Sequence, residues 1–482
     1  MAAPKTAIPG DHMSSARVGL PEGAQVVHLD EFAMESGETL INVPVAYTTY
    51  GTLAPDGANA VLVGHSLTSN TNVHEWWSEL LGEGPAYCLD TSRFFVVCVN
   101  YFGSPYGSAS PLTPDRTHAD AADGAPYGAR FPLTSIRDNA RAQVRVLREH
   151  LGVTKLALCC GGSMGAMLAL EVAATFPDFV GELLLIAGCA AHTDWAIGLG
   201  ECQRHAIYAA CGGGGDLDGD LGDLGGGGAS GGGGGLSAPE RGLYAARMQA
   251  MLSYRTPQSI TARFRRSLQP GPAPKGLRAP HYAVSSYLRH QGLKFARRFD
   301  ARCYVHMTHT LDTHDVGRGR CGGDAGGDGD GGDGGDGGDG GDGGVDADGA
   351  GDSSGSSGSG SGSGSGAGGP AYRAVLRGLR HRTLVVGIDS DALYPVELQR
   401  EMAYCLPNAL LHTLESPHGH DSFLIEIKTL NATVCGWLAG TYFGERVTRA
   451  SLLDKDSRDW ARLMGDAPRG ANEGPRRVGI FL

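Results

Sequence analysis

An α/β fold with a mainly parallel sheet is what this sequence predicts, on three observations: short continuous apolar runs, helical stretches between several of them, and a glycine-framed serine where one run meets a helix. The runs are Asn59 to Leu67, Phe94 to Asn100, Lys155 to Cys160, Glu182 to Gly188 and Thr383 to Asp391. Apolar residues without polar alternation suit strands buried on both faces, as parallel strands are. Ser135 to Gly152 reads as an amphipathic helix, since Ile136, Ala140, Val144 and Leu147 fall on one face. From Ala190 to about Arg318 the runs stop and the sequence turns helical and basic, which predicts a cap inserted after a sheet strand.

Composition narrows the domain count. The chain has 482 residues and 77 glycines, and most of the glycine excess sits in Cys211 to Ser237 and Gly322 to Gly369. Those stretches are almost wholly Gly, Asp, Ser and Ala, too poor in apolar surface to offset the entropy of ordering them, so they read as disordered insertions. The expected organisation is a core in two parts, residues 1–190 and 370–482, a helical cap over 191–320 with its insertion at 211–237, and a linker at 322–369. The two stretches also hold 14 aspartates and no Lys or Arg, so without them the net charge moves from −12 to about +2. No basic surface is left to suggest nucleic acid. The GGDGGDGGDGG repeat lacks the aliphatic residue of a calcium-binding β-helix unit and the proline of collagen.

The eleven cysteines are irregularly spaced, and the first nineteen residues contain no apolar core of a signal peptide. No stretch approaches the ~20 apolar residues of a membrane span. A reduced, cytoplasmic location is expected. Cys159 and Cys160 read as small apolar fillers of a buried strand end.

The serine carries the chemistry. A strand to Cys160, then Gly161-Gly162-Ser163-Met164-Gly165, then a helix pattern through Phe176 is the strand-turn-helix that presents a nucleophilic hydroxyl at the helix N-terminus. The glycines point to a turn that tolerates positive φ or close backbone approach. A serine hydroxyl needs a base, and the base an orienting acid, in the order Ser, Asp, His. The C-terminal region offers Asp389 and Asp391 at the end of a strand, and His418 and His420 on a loop before a helix.

The sequence resembles the homoserine O-acetyltransferase family of the α/β-hydrolase superfamily. The matching stretches include GHSLTSN at Gly64, EWWSELLGEG at Glu75, FPLTSIRDNARAQ at Phe131, GGSMGAM at Gly161, YRTPQSITARF at Tyr254 and GHDSFL at Gly419. YGSASP, within the stretch that begins at Leu89, is more similar to the fungal branch than to the bacterial one. The resemblance implies an α/β-hydrolase fold with an inserted helical cap. The family's S-D-x-L-x-P pattern favours Asp391 over Asp389, and its G-H-D-x-F-L pattern selects His420 over His418. It implies an oxyanion hole from the backbone N–H groups of Leu67 and Met164, Arg204 on the substrate carboxylate and Asp421 on its ammonium.

The activity so implied is transfer of the acetyl group of acetyl-CoA, a co-substrate and not a bound cofactor, to the hydroxyl of homoserine, in methionine biosynthesis. The expected partners are these small molecules, with no metal, nucleic acid or membrane; a homodimer is left open. Serine O-acetyltransferase, homoserine O-succinyltransferase and a plain serine esterase share the triad and stay as alternatives.

Overall fold

The computed structural model describes residues 19–117, 124–212, 236–269, 282–320, 370–442 and 444–448. The expected linker at 322–369 lies wholly outside these residues, and the expected insertion at 211–237 lies outside them except for two residues at each end. The first part of the chain forms β1 (Gln25–Ala33), β2 (Thr39–Tyr50), β3 (Ala60–Gly64), α1 (His74–Trp77), β4 (Leu81–Gly82), β5 (Leu89–Asp90), β6 (Phe95–Val99), α2 (Ile136–Glu149), β7 (Leu156–Gly162), α3 (Met164–Thr175) and β8 (Val180–Ile186). Among the described residues the inserted region then forms α4 (Asp194–Ala210), α5 (Ala238–Ser253), α6 (Pro257–Phe264), α7 (Ala283–Ala296) and α8 (Ala301–Asp312). The chain then forms α9 (Ala371–Gly378), β9 (Arg382–Ile388), α10 (Val396–Cys405), β10 (Ala409–Leu414), α11 (Ser422–Ile425) and α12 (Ile427–Leu438).

Eight strands make one sheet in the order β1-β2-β6-β3-β7-β8-β9-β10. β1 and β2 pair antiparallel, β2 meets β6 antiparallel, and every other pairing is parallel. The five apolar runs of the sequence are β3, β6, β7, β8 and β9, contiguous in the sheet. Helices cover both faces. On one, Ile136, Ala140, Val144 and Leu147 of α2 join α3 and α10 against the strands; on the other, Trp77, Phe423, Leu430, Val434 and Trp437 fill the space. The α2 start is fixed by a capping box, in which Ser135 accepts from the Asp138 N–H and Asp138 accepts from the Ser135 N–H.

Strand order reverses between β3 and β7, which flank one another although the chain passes through β6 between them. The crevice beyond the carboxyl ends of the strands at such a switch point is where α/β sheets bind ligands. Leu67 follows β3 and Ser163 follows β7, so both lie at that end. The inserted helices have their own core, in which Phe295 stacks on Phe299 at 5.0 Å and Ile207, Leu243 and Tyr304 are buried.

Candidate active site

Ser163 lies between β7 and α3 with φ 59° and ψ −123°, a conformation that costs an L-residue energy and that the surroundings must enforce. The glycines around it serve close approach: the positive φ belongs to the serine, not to Gly161, Gly162 or Gly165. A Cβ on Gly165 would collide with the carbonyl of Gly64, and one on Gly162 would lie 2.5 Å from the Phe423 ring. The serine N–H is held by the Ile186 carbonyl at 2.9 Å, which ties the turn to β8.

His420 Nε2 is 2.9 Å from Ser163 Oγ, and His420 Nδ1 is 2.6 Å from Asp391 Oδ2. The other carboxylate oxygen of Asp391 accepts from the N–H groups of Leu393 (2.8 Å) and Tyr394 (3.0 Å), which fixes its plane. A carboxylate on Nδ1 keeps the proton there, so Nε2 is free to accept the serine proton. Burial alone would lower the His420 pKa, but the charge and hydrogen bond of Asp391, with the nearby Asp421, hold it above the ordinary histidine value. The rings of Tyr394 (5.2 Å), Phe423 (5.6 Å) and Tyr254 (6.2 Å) surround the imidazole. The two residues that competed for these roles are occupied elsewhere: Asp389 accepts from the Ser416 N–H, and His418 Nδ1 pairs with Ser259 Oγ.

Ser163 and His420 open into a cavity of about 220 Å³, lined also by Leu67, Tyr254, Tyr394 and Asp421. Met164 is the first residue of α3, so its N–H is one of the helix's unpaired N-terminal donors. Asp421 lines the cavity with its carboxylate 2.8 Å from Arg255 Nε. Arg204 is not among the lining residues; it is buried and bound to Glu201 (2.9 Å) and Asp312 (2.9 Å), so its guanidinium is spent on protein carboxylates. The arginines that do line the cavity are Arg247 and Arg298, which motif reading did not single out. Arg298 is engaged with the Thr68 carbonyl and Tyr106 hydroxyl. Arg247 lies over the Phe295 and Tyr254 rings at 4.8 and 5.7 Å, and its Nε is buried without a hydrogen-bond partner among the described residues. No local pattern could have flagged it, because its orientation depends on how α5 packs.

Among the described residues no group of three or more His, Cys, Asp or Glu could hold a metal ion, and no helix is long and apolar enough to cross a membrane.

The alpha/beta hydrolase fold family matches residues 59–209. The homoserine O-acetyltransferase of Salinibacter ruber is 42% identical over 422 residues, covering 86% of this chain and 97% of that one. The homoserine O-acetyltransferase of the fungus Emericella nidulans is 33% identical, covering 86% of each chain, so of these two the bacterial sequence is the more similar. The crystal structure of homoserine O-acetyltransferase from Bacillus anthracis superposes with a TM-score of 0.63 over 88% of this chain and 98% of that one, at 18% identity, a likeness of fold. With 42% of residues shared across nearly the full length of the Salinibacter ruber protein, this chain belongs to the homoserine O-acetyltransferase family of the α/β-hydrolase fold.

Proposed function

We propose that the protein transfers the acetyl group of acetyl-CoA to the side-chain hydroxyl of L-homoserine through an acetyl-Ser163 intermediate, a step of methionine biosynthesis. The observation that carries this reading is the Ser163, His420, Asp391 relay, with contacts of 2.9 and 2.6 Å, at the wall of a cavity that also holds an unpaired buried arginine nitrogen. A triad alone fits any serine esterase; Arg247 and Asp421 in the same cavity give it a reason to receive an amino acid.

In the first half-reaction His420 Nε2 takes the Ser163 proton as Oγ attacks the thioester carbonyl. The backbone N–H groups of Leu67 and Met164 hold the oxyanion, the C–S bond breaks, and the thiolate of CoA leaves with the proton that His420 returns. In the second, the homoserine hydroxyl gives its proton to His420 and attacks the acetyl carbon, and Ser163 leaves as the free hydroxyl. Arg247 takes the substrate carboxylate, for which a planar guanidinium is suited, and Asp421 offers a carboxylate to the ammonium. Arg204 acts one step removed, by holding Asp312.

Transfer in preference to hydrolysis needs water excluded and the acceptor oriented. We assign that work to residues 191–320 as a cap on a core made of 1–190 and 370–482, in the cytoplasm, with acetyl-CoA as co-substrate. The direct test is release of free thiol from acetyl-CoA by the purified protein: homoserine should accelerate it strongly, serine weakly, and thiol release indifferent to either amino acid would leave an esterase reading in its place.

A further inference from the structure

The cavity contains a second set of acceptors that the steps above do not use. Asp312 lines it at the end of α8, and its Oδ1 is buried with no well-formed hydrogen bond among the described residues, only a 3.3 Å contact to His192 Nδ1. Its other oxygen is held by Arg204 at 2.9 Å, which fixes the carboxylate in place. His192 stands beside it, with Nδ1 3.3 Å from Asp312 Oδ1 and Nε2 3.0 Å from the Tyr394 hydroxyl. A proton on Nδ1 faces the Asp312 carboxylate and leaves Nε2 as an acceptor. In that tautomer Tyr394 donates its O–H to His192, which leaves the lone pairs of its oxygen for another donor. Tyr394 lines the cavity, and its ring packs at 5.2 Å against His420.

A carboxylate oxygen has lone pairs for more than one donor, and the 3.3 Å contact to His192 leaves Asp312 Oδ1 room for another. Arg247 Nε is the mirror case in the same cavity, a buried donor without an acceptor. Together they complement a zwitterion, with carboxylate on one side and ammonium on the other. Asp421 alone matches a three-proton ammonium poorly, because its carboxylate is already paired with Arg255 at 2.8 Å.

We infer that Asp312 and Tyr394 form, with Asp421, the subsite for the primary ammonium of the acceptor, and that His192 is a positioning residue that makes the Tyr394 oxygen an acceptor. The inference rests on the transferase reading. Each ammonium proton then has one oxygen: Asp312, Tyr394 and Asp421.

The experiment compares L-homoserine with 4-hydroxybutyrate, the same acceptor without its amino group, in wild type, Tyr394→Phe, Asp312→Asn and His192→Gln. 4-Hydroxybutyrate is followed as an acceptor, or as a competitive inhibitor against homoserine where its turnover is slow. Tyr394→Phe keeps the ring against His420, so single-turnover acetylation by acetyl-CoA should stay within about twofold, while kcat/KM for homoserine falls about tenfold or more, as loss of a hydrogen bond to a charged group does. Use or binding of 4-hydroxybutyrate should be unchanged, so that discrimination between the two compounds collapses in all three variants. Equal losses with both compounds, unchanged discrimination, or a wild type that does not discriminate would overturn the assignment. A wild type that releases no thiol and forms no acetyl-enzyme would instead count against the transferase reading, and the first half-reaction shows this separately.

Discussion

In the proposed mechanism His420 carries the proton in both half-reactions, and its pKa is a balance of opposed influences: burial lowers it, while Asp391 and then Asp421 raise it, with a net rise. As a base it must be neutral, so kcat/KM for acetyl-CoA should climb with pH through that raised value. Asp421→Asn removes one raising charge. His420 then loses its proton at lower pH, and the acid limb of the profile should move to lower pH; a limb that stays put or moves up would contradict the electrostatic account. At the acceptor end, Arg247→Ala should raise KM for homoserine by about ten- to a hundredfold, the scale of a charge-assisted hydrogen bond, and leave single-turnover acetylation intact. The Ser, His, Asp arrangement was legible in the sequence because Ser163 and His420 sit in local patterns and the strand end ahead of the histidine loop offers Asp389 and Asp391. The arginine proposed to hold the substrate was not. Arg204 and Arg247 both lie on inserted helices, and which of them reaches the cavity depends on helix rotation, a property of packing that no short motif encodes.

At the scale of the element, the strained serine persists because β7, α3 and β3 approach one another more closely than side chains allow. Gly165 lies against the Gly64 carbonyl, and Gly161 against the Gly165 backbone. Gly165→Ala should therefore force α3 away from β3 and lower stability by about 2–3 kcal/mol, as overpacking at a site with no room to relax does. Chemical denaturation measures this; a midpoint unchanged from wild type would show that the contact yields easily. The five central strands could be read from their apolar runs because both faces are buried. β1, β2 and β10 could not: β1 and β10 are the sheet edges and β2 lies next to β1, and β1 has a mostly exposed pattern in which only Leu29 and Phe32 are buried.

On the scale of the whole molecule, the described residues, which do not include 322–369, already form the sheet core, the triad contacts and the cavity. The chain on either side of that stretch comes together, since the Gly317 backbone packs against Ala371 and Tyr372 too closely for a Cβ. Replacing residues 322–369 by a short Gly/Ser bridge should leave turnover within about twofold, because a longer loop changes closure entropy only slowly. Loss of activity in a folded deletion variant would show that the stretch contributes to the site. The proposed acetyl-Ser163 intermediate lies where the core, the inserted helices and the C-terminal loop meet. The measurement that bears on it most directly is mass spectrometry of the protein mixed with acetyl-CoA in the absence of acceptor, followed by peptide mapping. One acetyl group should appear on the peptide containing Ser163, should vanish when homoserine is added, and should be absent from Ser163→Ala; an acetyl adduct that survives in the alanine variant, or a turning-over enzyme that never acquires one, would contradict transfer through Ser163.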